Sequence, residues 1–188
     1  NSSFAQNYHK EVGLYFVQNY NSKEYKGHSQ VFGITKDTNN IVYFTGDGIT
    51  EYDGKKWRKI PCSNQVITAI ATGVDHKVYV GGTNELGYLS LDSLGNHIFK
   101  SLLPLLEKNE HTFGEIRRII STEKFILFAS KATILRYDFN SQNITSTKFD
   151  ERVTLLNCID DTIYIHIKGK GICYLKNEQV IPTESGSY

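Results

Sequence analysis

The chain is 188 residues long with 39% hydrophobic-class and 22% charged residues, so it has enough apolar side chain to bury a core and is not a disordered segment. Its 21 Lys and Arg nearly balance its 20 Asp and Glu, which leaves no global field for phosphate backbones or anionic lipid and argues against direct contact with nucleic acid or a membrane surface. No apolar run approaches the roughly 20 residues of a membrane helix, and twelve Tyr with ten Phe tilt the composition toward strands.

The chain contains no Met, so an upstream segment is expected to have been removed. Ser3-Phe4-Ala5 fits the tail of a secretory signal cleaved after Ala5. Residues 1–27 therefore read as signal-peptide remnant and lead-in. Cys62, Cys158 and Cys173 show neither even pairing nor metal-ligand spacing, and the latter two fall on strands separated by a third. All three are expected to be buried free thiols.

From there the chain repeats itself. Apolar runs centred on Tyr43, Tyr79, Leu127 and Tyr164 each end near a tyrosine, Tyr52, Tyr88, Tyr137 and Tyr174, and follow one another at offsets of 36, 48 and 37 residues. Such a period marks a repeat architecture. In the first unit (28–62), Val31 to Ile34 reads as an inner strand, Lys36 to Asn40 as a turn, Ile41 to Thr45 as the second strand and Ile49 to Tyr52 as the third. Asp53-Gly54 predicts a two-residue hairpin with both residues at positive φ, and Lys56 to Ile60 closes the unit. The second unit (63–103) repeats this order with Val66 to Ala71, Lys77 to Gly81, Leu86 to Leu91 and a strand near Ile98-Phe99. A short helix is expected at Leu102 to Asn109, in the long connection that precedes the third unit (113–150). The fourth (151–182) has a two-residue turn at Asp160-Asp161. Four-stranded sheets of this kind must stack on one another, so the expected fold is an all-β propeller of four-stranded antiparallel blades. About four blades are present, read as the amino-terminal part of a larger ring.

Residues 41–60, Ile-Val-Tyr-Phe-Thr-Gly-Asp-Gly-Ile-Thr-Glu-Tyr-Asp-Gly-Lys-Lys-Trp-Arg-Lys-Ile, resemble the two-component regulator propeller repeat of bacterial sensors. Val78 to Leu89 resembles the next blade, and Gly13 to Tyr20 with Glu24-Tyr25 resembles the lead-in. The resemblance implies a periplasmic, non-catalytic sensing region responsive to a small molecule or glycan. It further implies more blades, a membrane anchor and an output that is either a histidine kinase or a helix-turn-helix regulator. A homodimer is compatible with it, and no cofactor is implied.

Propeller ligands sit at the channel mouth, lined by the loops between second and third strands and by the connections between blades. That rule collects Asp47, Asn84, Glu85, Lys131, Lys168 and Lys170, with Asn64 and Gln65 from the first connection. Arg117 and Arg118 are consecutive at an inner strand, so one of them faces a blade or the channel; it either pairs with Glu115 or awaits an anion. Trp57 is expected to cover the neighbouring blade. His166 reads as a hydrogen-bonded core or interface histidine, the other histidines (9, 28, 76, 97 and 111) as scattered loop residues, and Asp160-Asp161 as a solvated turn. No catalytic or metal motif is present. The alternatives are a propeller lyase or hydrolase of a carbohydrate or lactone, for which only Glu85 and Arg117 stand out, and a protein-interaction scaffold.

Overall fold

A computed structural model describes residues 17–27, 30–62, 66–160, 162–176 and 179–183. Among the described residues, sixteen strands form four antiparallel sheets, each with its strands in chain order. Blade 1 is β1 (Gly33–Lys36), β2 (Val42–Gly46), β3 (Gly48–Tyr52) and β4 (Trp57–Ile60). Blade 2 is β5 (Ile67–Thr72), β6 (Val78–Gly82), β7 (Glu85–Leu91) and β8 (His97–Ser101). Blade 3 is β9 (Arg118–Ser121), β10 (Phe125–Ala129), β11 (Thr133–Asp138) and β12 (Ile144–Lys148), and blade 4 is β13 (Val153–Ile159), β14 (Thr162–Ile167), β15 (Gly171–Lys176) and β16 (Gln179–Pro182). The innermost strands β1, β5, β9 and β13 pack in succession, the arrangement of adjoining propeller blades.

Strand alternation sends every second side chain to the same neighbour. Tyr43, Ile49 and Ile60 meet Ile67, Val78, Val80 and Leu89 between blades 1 and 2. Tyr79 and Leu86 meet Ile126, Phe128, Leu135 and Tyr137 between blades 2 and 3. Leu127 and Ile134 meet Ile163, Ile165 and Ile167 between blades 3 and 4. The repeat anchors Tyr43, Tyr79 and Leu127 thus each face the following blade. Tyr164, flanked by Ile163 and Ile165, faces away from blade 3 in the same sense.

Several local expectations are corrected. The first strand begins at Gly33, past Val31 and Phe32, which are exposed. No α-helix forms at 102–109; two 3-10 turns, Leu103–Leu105 and Lys108–Glu110, take its place, because Pro104 and the need to seat Leu102 and Leu106 in the core break up a longer helix. Tyr52 pairs with Trp57, so the Asp53-Gly54 loop has four residues rather than two. Only Gly54 of that dipeptide has positive φ, at 92°. Asp53 Oδ1 instead accepts the N–H groups of Lys55 and Lys56 at 2.8 and 2.7 Å, an Asx turn in which aspartate needs no left-handed backbone. Trp57 turns away from blade 2. It stacks on Tyr52 (3.9 Å, 19°) and meets Phe44, Tyr20 and Tyr25 edge-on or tilted, because its cross-strand line through Tyr52 and Val42 lies on the face opposite Tyr43. Among the described residues the three cysteines form no disulfide; Cys173 is buried, while Cys62 and Cys158 are only half-buried.

Candidate functional site: the mouth end of the blades

In an up-and-down sheet, the loop between second and third strands and the connection entering the next innermost strand lie at the same end. That end carries Asp47, Asn84, Lys131, Lys168 and Lys170 in successive blades. Backbone hydrogen bonds tie its loops together: Val153 N–H donates to Lys131 O at 2.8 Å, Lys168 N–H to Arg152 O at 3.0 Å and Asn84 N–H to Gly114 O at 2.9 Å.

Several of these side chains hold the loops in place. Asn84 has φ 52°, and its Oδ1 accepts the N–H groups of Phe113 and Gly114 at 3.0 and 2.7 Å, pinning the connection from blade 2 to blade 3. Glu85 is 6% exposed; its Oε1 accepts from Ser101 Oγ at 2.8 Å and from Leu86 N–H at 3.2 Å. Asp47 pairs with Lys59 at 2.9 Å. Lys170 pairs with Glu151 at 3.0 Å, which raises the Lys170 pKa and lowers that of Glu151. Asn64, Gln65 and Asp161 lie outside the described residues.

Arg117 and Lys131 converge. Together with Arg118 and Arg152 they line a groove of about 120 Å³ between blades 3 and 4, whose walls include Ala129, Ser130, Val153, Thr154 and Leu156. Local backbone geometry fixes each of them. Arg117 N–H donates to Ala129 O at 2.8 Å, and Arg118 pairs with Ala129 in the β9–β10 ladder. Lys131 occupies a turn whose Thr133 N–H donates to Ser130 Oγ at 3.1 Å. Arg117 also bonds Glu115, at 2.7 Å, the internal partner that the sequence offered it. Among the described residues, Arg118, Lys131 and Arg152 have no carboxylate partner. Beside the groove, Thr154 Oγ1 lies 2.5 Å from His166 Nδ1, so His166 is hydrogen-bonded on its strand, half-buried and not in the core.

A second polar cluster was not legible in the sequence. His97, read there as a loop residue, lies on β8, and its Nδ1 donates to Glu51 Oε2 at 2.7 Å, while Arg58 Nε donates to Glu51 Oε1 at 2.6 Å. Tyr43 OH donates to Asp37 Oδ2 at 3.1 Å, and Tyr79 OH repeats this with Asp75 Oδ2 at 2.8 Å. Burial first, with the neighbouring aspartate adding to it, pushes both phenols above their ordinary pKa, so they stay protonated donors. These Tyr–Asp latches join the second strand to the turn before it, at the end opposite the groove. A Tyr four to six residues after an Asp is the signal that marks them.

No family model matches the chain, and no curated protein matches it. Among solved structures, its fold is similar to that of virginiamycin B lyase from Staphylococcus aureus, with 16% identity and a TM-score of 0.60 over 81% of this chain and 55% of that one. It is similar also to the extracellular domain assigned to a hybrid two-component system of B. thetaiotaomicron, with 13% identity and a TM-score of 0.59 over 81% of this chain and 21% of that one. A second such domain from the same organism gives 16%, 0.58, 85% and 22%. The chain thus spans about half the length of the lyase and about a fifth of each extracellular domain. The likeness is one of fold.

Proposed function

We propose that the chain is a ligand-sensing propeller region of an exported bacterial signal-transduction regulator. In this reading it binds a small molecule or glycan at the mouth end and biases downstream domains between two states. The observation that carries it is the groove lined by Arg117, Arg118, Lys131 and Arg152 at the shared end of the blades. Guanidinium and ammonium groups offer several hydrogen-bond donors and no acceptor, so this set is suited to holding an acceptor-rich ligand. The similarity to extracellular domains of two-component systems supports the same reading and an extracytoplasmic location. On this reading Asp47, Asn84, Glu85, Lys168 and Lys170 shape the mouth around the groove, and further blades and a membrane-anchored output complete the protein.

The test is to mix the full-length protein with a panel of glycans and small metabolites, measure its melting temperature, and recover each ligand for mass spectrometry. Sensing predicts that a stabilising ligand comes back intact. A second reading, lyase or hydrolase, is favoured by the similarity to virginiamycin B lyase. Product that disappears with a Glu85→Ala variant of unchanged melting temperature would establish it and overturn the first.

A further inference from the structure

Seating a ligand at the mouth leaves its chemistry open, and the charge arrangement of the groove narrows it. Elsewhere at this end cations meet carboxylates, Lys59 with Asp47 and Lys170 with Glu151, and of the cations that line the groove Arg117 meets Glu115. In the rest of the groove the pattern stops. Four basic side chains line it and no acidic one does, and among the described residues Arg118, Lys131 and Arg152 have no counter-charge. In a chain with formal net charge +1, this convergence is local and does not follow from composition. Like charges gathered over the low-dielectric walls of Ala129, Val153 and Leu156 focus a positive potential that an entering anion relieves. Arginine's planar fork matches the two oxygens of an oxyanion, whereas lysine acts as a point charge.

We infer that the groove between blades 3 and 4 binds an oxyanion group of the ligand, a carboxylate, sulfate or phosphate, through Arg118 and Arg152, with Lys131 closing over it. The inference rests on reading this end as the ligand mouth. A volume of about 120 Å³ admits one such group with its nearest waters, and the remainder of the ligand extends out of the groove.

The test is calorimetric titration of the full-length protein, at constant ionic strength in chloride, with sodium sulfate, sodium phosphate, glucuronate, glucose 6-phosphate and uncharged glucose. At least one oxyanion probe is expected to bind while glucose does not, and the identity of that probe separates carboxylate, sulfate and phosphate as the source. The double variant Arg118→Gln/Arg152→Gln should weaken that probe at least tenfold. Arg118→Lys/Arg152→Lys should retain part of the affinity, and Lys100→Gln, at an exposed position of β8, all of it. Unchanged melting temperatures for these variants exclude misfolding as the cause. Absence of binding by every oxyanion, equal loss with Lys100→Gln, or indifference to the double variant overturns the inference. Binding of glucose with no oxyanion binding would overturn it while leaving the sensing reading intact. An oxyanion probe that binds through Arg118 and Arg152 and is converted to product would do the reverse.

Discussion

Blade 3 forms two interfaces with the two sides of the same strands, and they end differently at the mouth. Toward blade 2, the connection 102–117 feeds Leu102, Leu106, Phe113 and Ile116 into the core beside Tyr79, Phe128 and Leu135. Ile116 sits so close to β6 that a Cβ on Gly81 would lie 2.6 Å from Ile116 Cγ2, so only glycine lets this plug approach. Toward blade 4, the connection 149–152 is short, and Arg152 lines the groove with Arg117, Arg118 and Lys131. The length and apolar content of the connection decide whether an inter-blade seam is capped or left receptive.

The sharpest way to break this contrast is in the capped seam. Phe128 is fully buried, and Phe128→Ala should cost about 3–5 kcal/mol through lost transfer energy and a cavity, read as a lower urea midpoint with unchanged slope. A loss below about 1 kcal/mol would mean that the seam is not closed. Gly81→Ala tests the plug itself and should cost about 1–3 kcal/mol by overpacking against Ile116. Tyr79→Phe removes the donor to Asp75 and should cost about 1–2 kcal/mol in the same assay.

The acid limb of stability probes the opposite end. Asp53, Asp92 and Asp138 are held below the usual carboxylate range, chiefly by the backbone N–H groups of Lys56, Asn96 and Ser141 respectively. Their contribution is complete above the unfolded value, near about 4, and is lost as pH falls through the lower folded values. Replacing all three by Asn should therefore flatten the fall of the denaturation midpoint below about pH 4. The smallest effect belongs to the receptive seam: Arg118→Gln should change stability by less than about 0.5 kcal/mol, and a larger loss would give Arg118 a structural role.

The sequence revealed the fold through side chains that repeat. Tyr43, Tyr79, Leu127 and Tyr164 carry the period, and their alternation with Val42, Val78, Ile126 and Ile163 already contains the direction each blade faces. It misled where one residue type serves two geometries: Asp-Gly is a two-residue hairpin signal, yet the Asx bond of Asp53 makes a longer loop. Trp57 was misplaced because period alone does not say which face of an end blade is covered. At the mouth, Arg117, Arg118 and Lys131 stood out, while Arg152 did not. In Asp150-Glu151-Arg152 it reads as a charge-balanced turn, and only the Glu151–Lys170 pair in the fold takes one of those acids away from it.

The recurring aspartate turns have an engineering corollary. Asp53 and Asp92 directly follow the third strand of their blades and Asp138 ends that of its own, and each gathers the amides of the next few residues, so three blades share one kind of splice point remote from the groove. Chimaeras crossed over at these positions would exchange recognition loops while keeping an aspartate turn at every junction, which makes this end the natural place to cut and rejoin the chain.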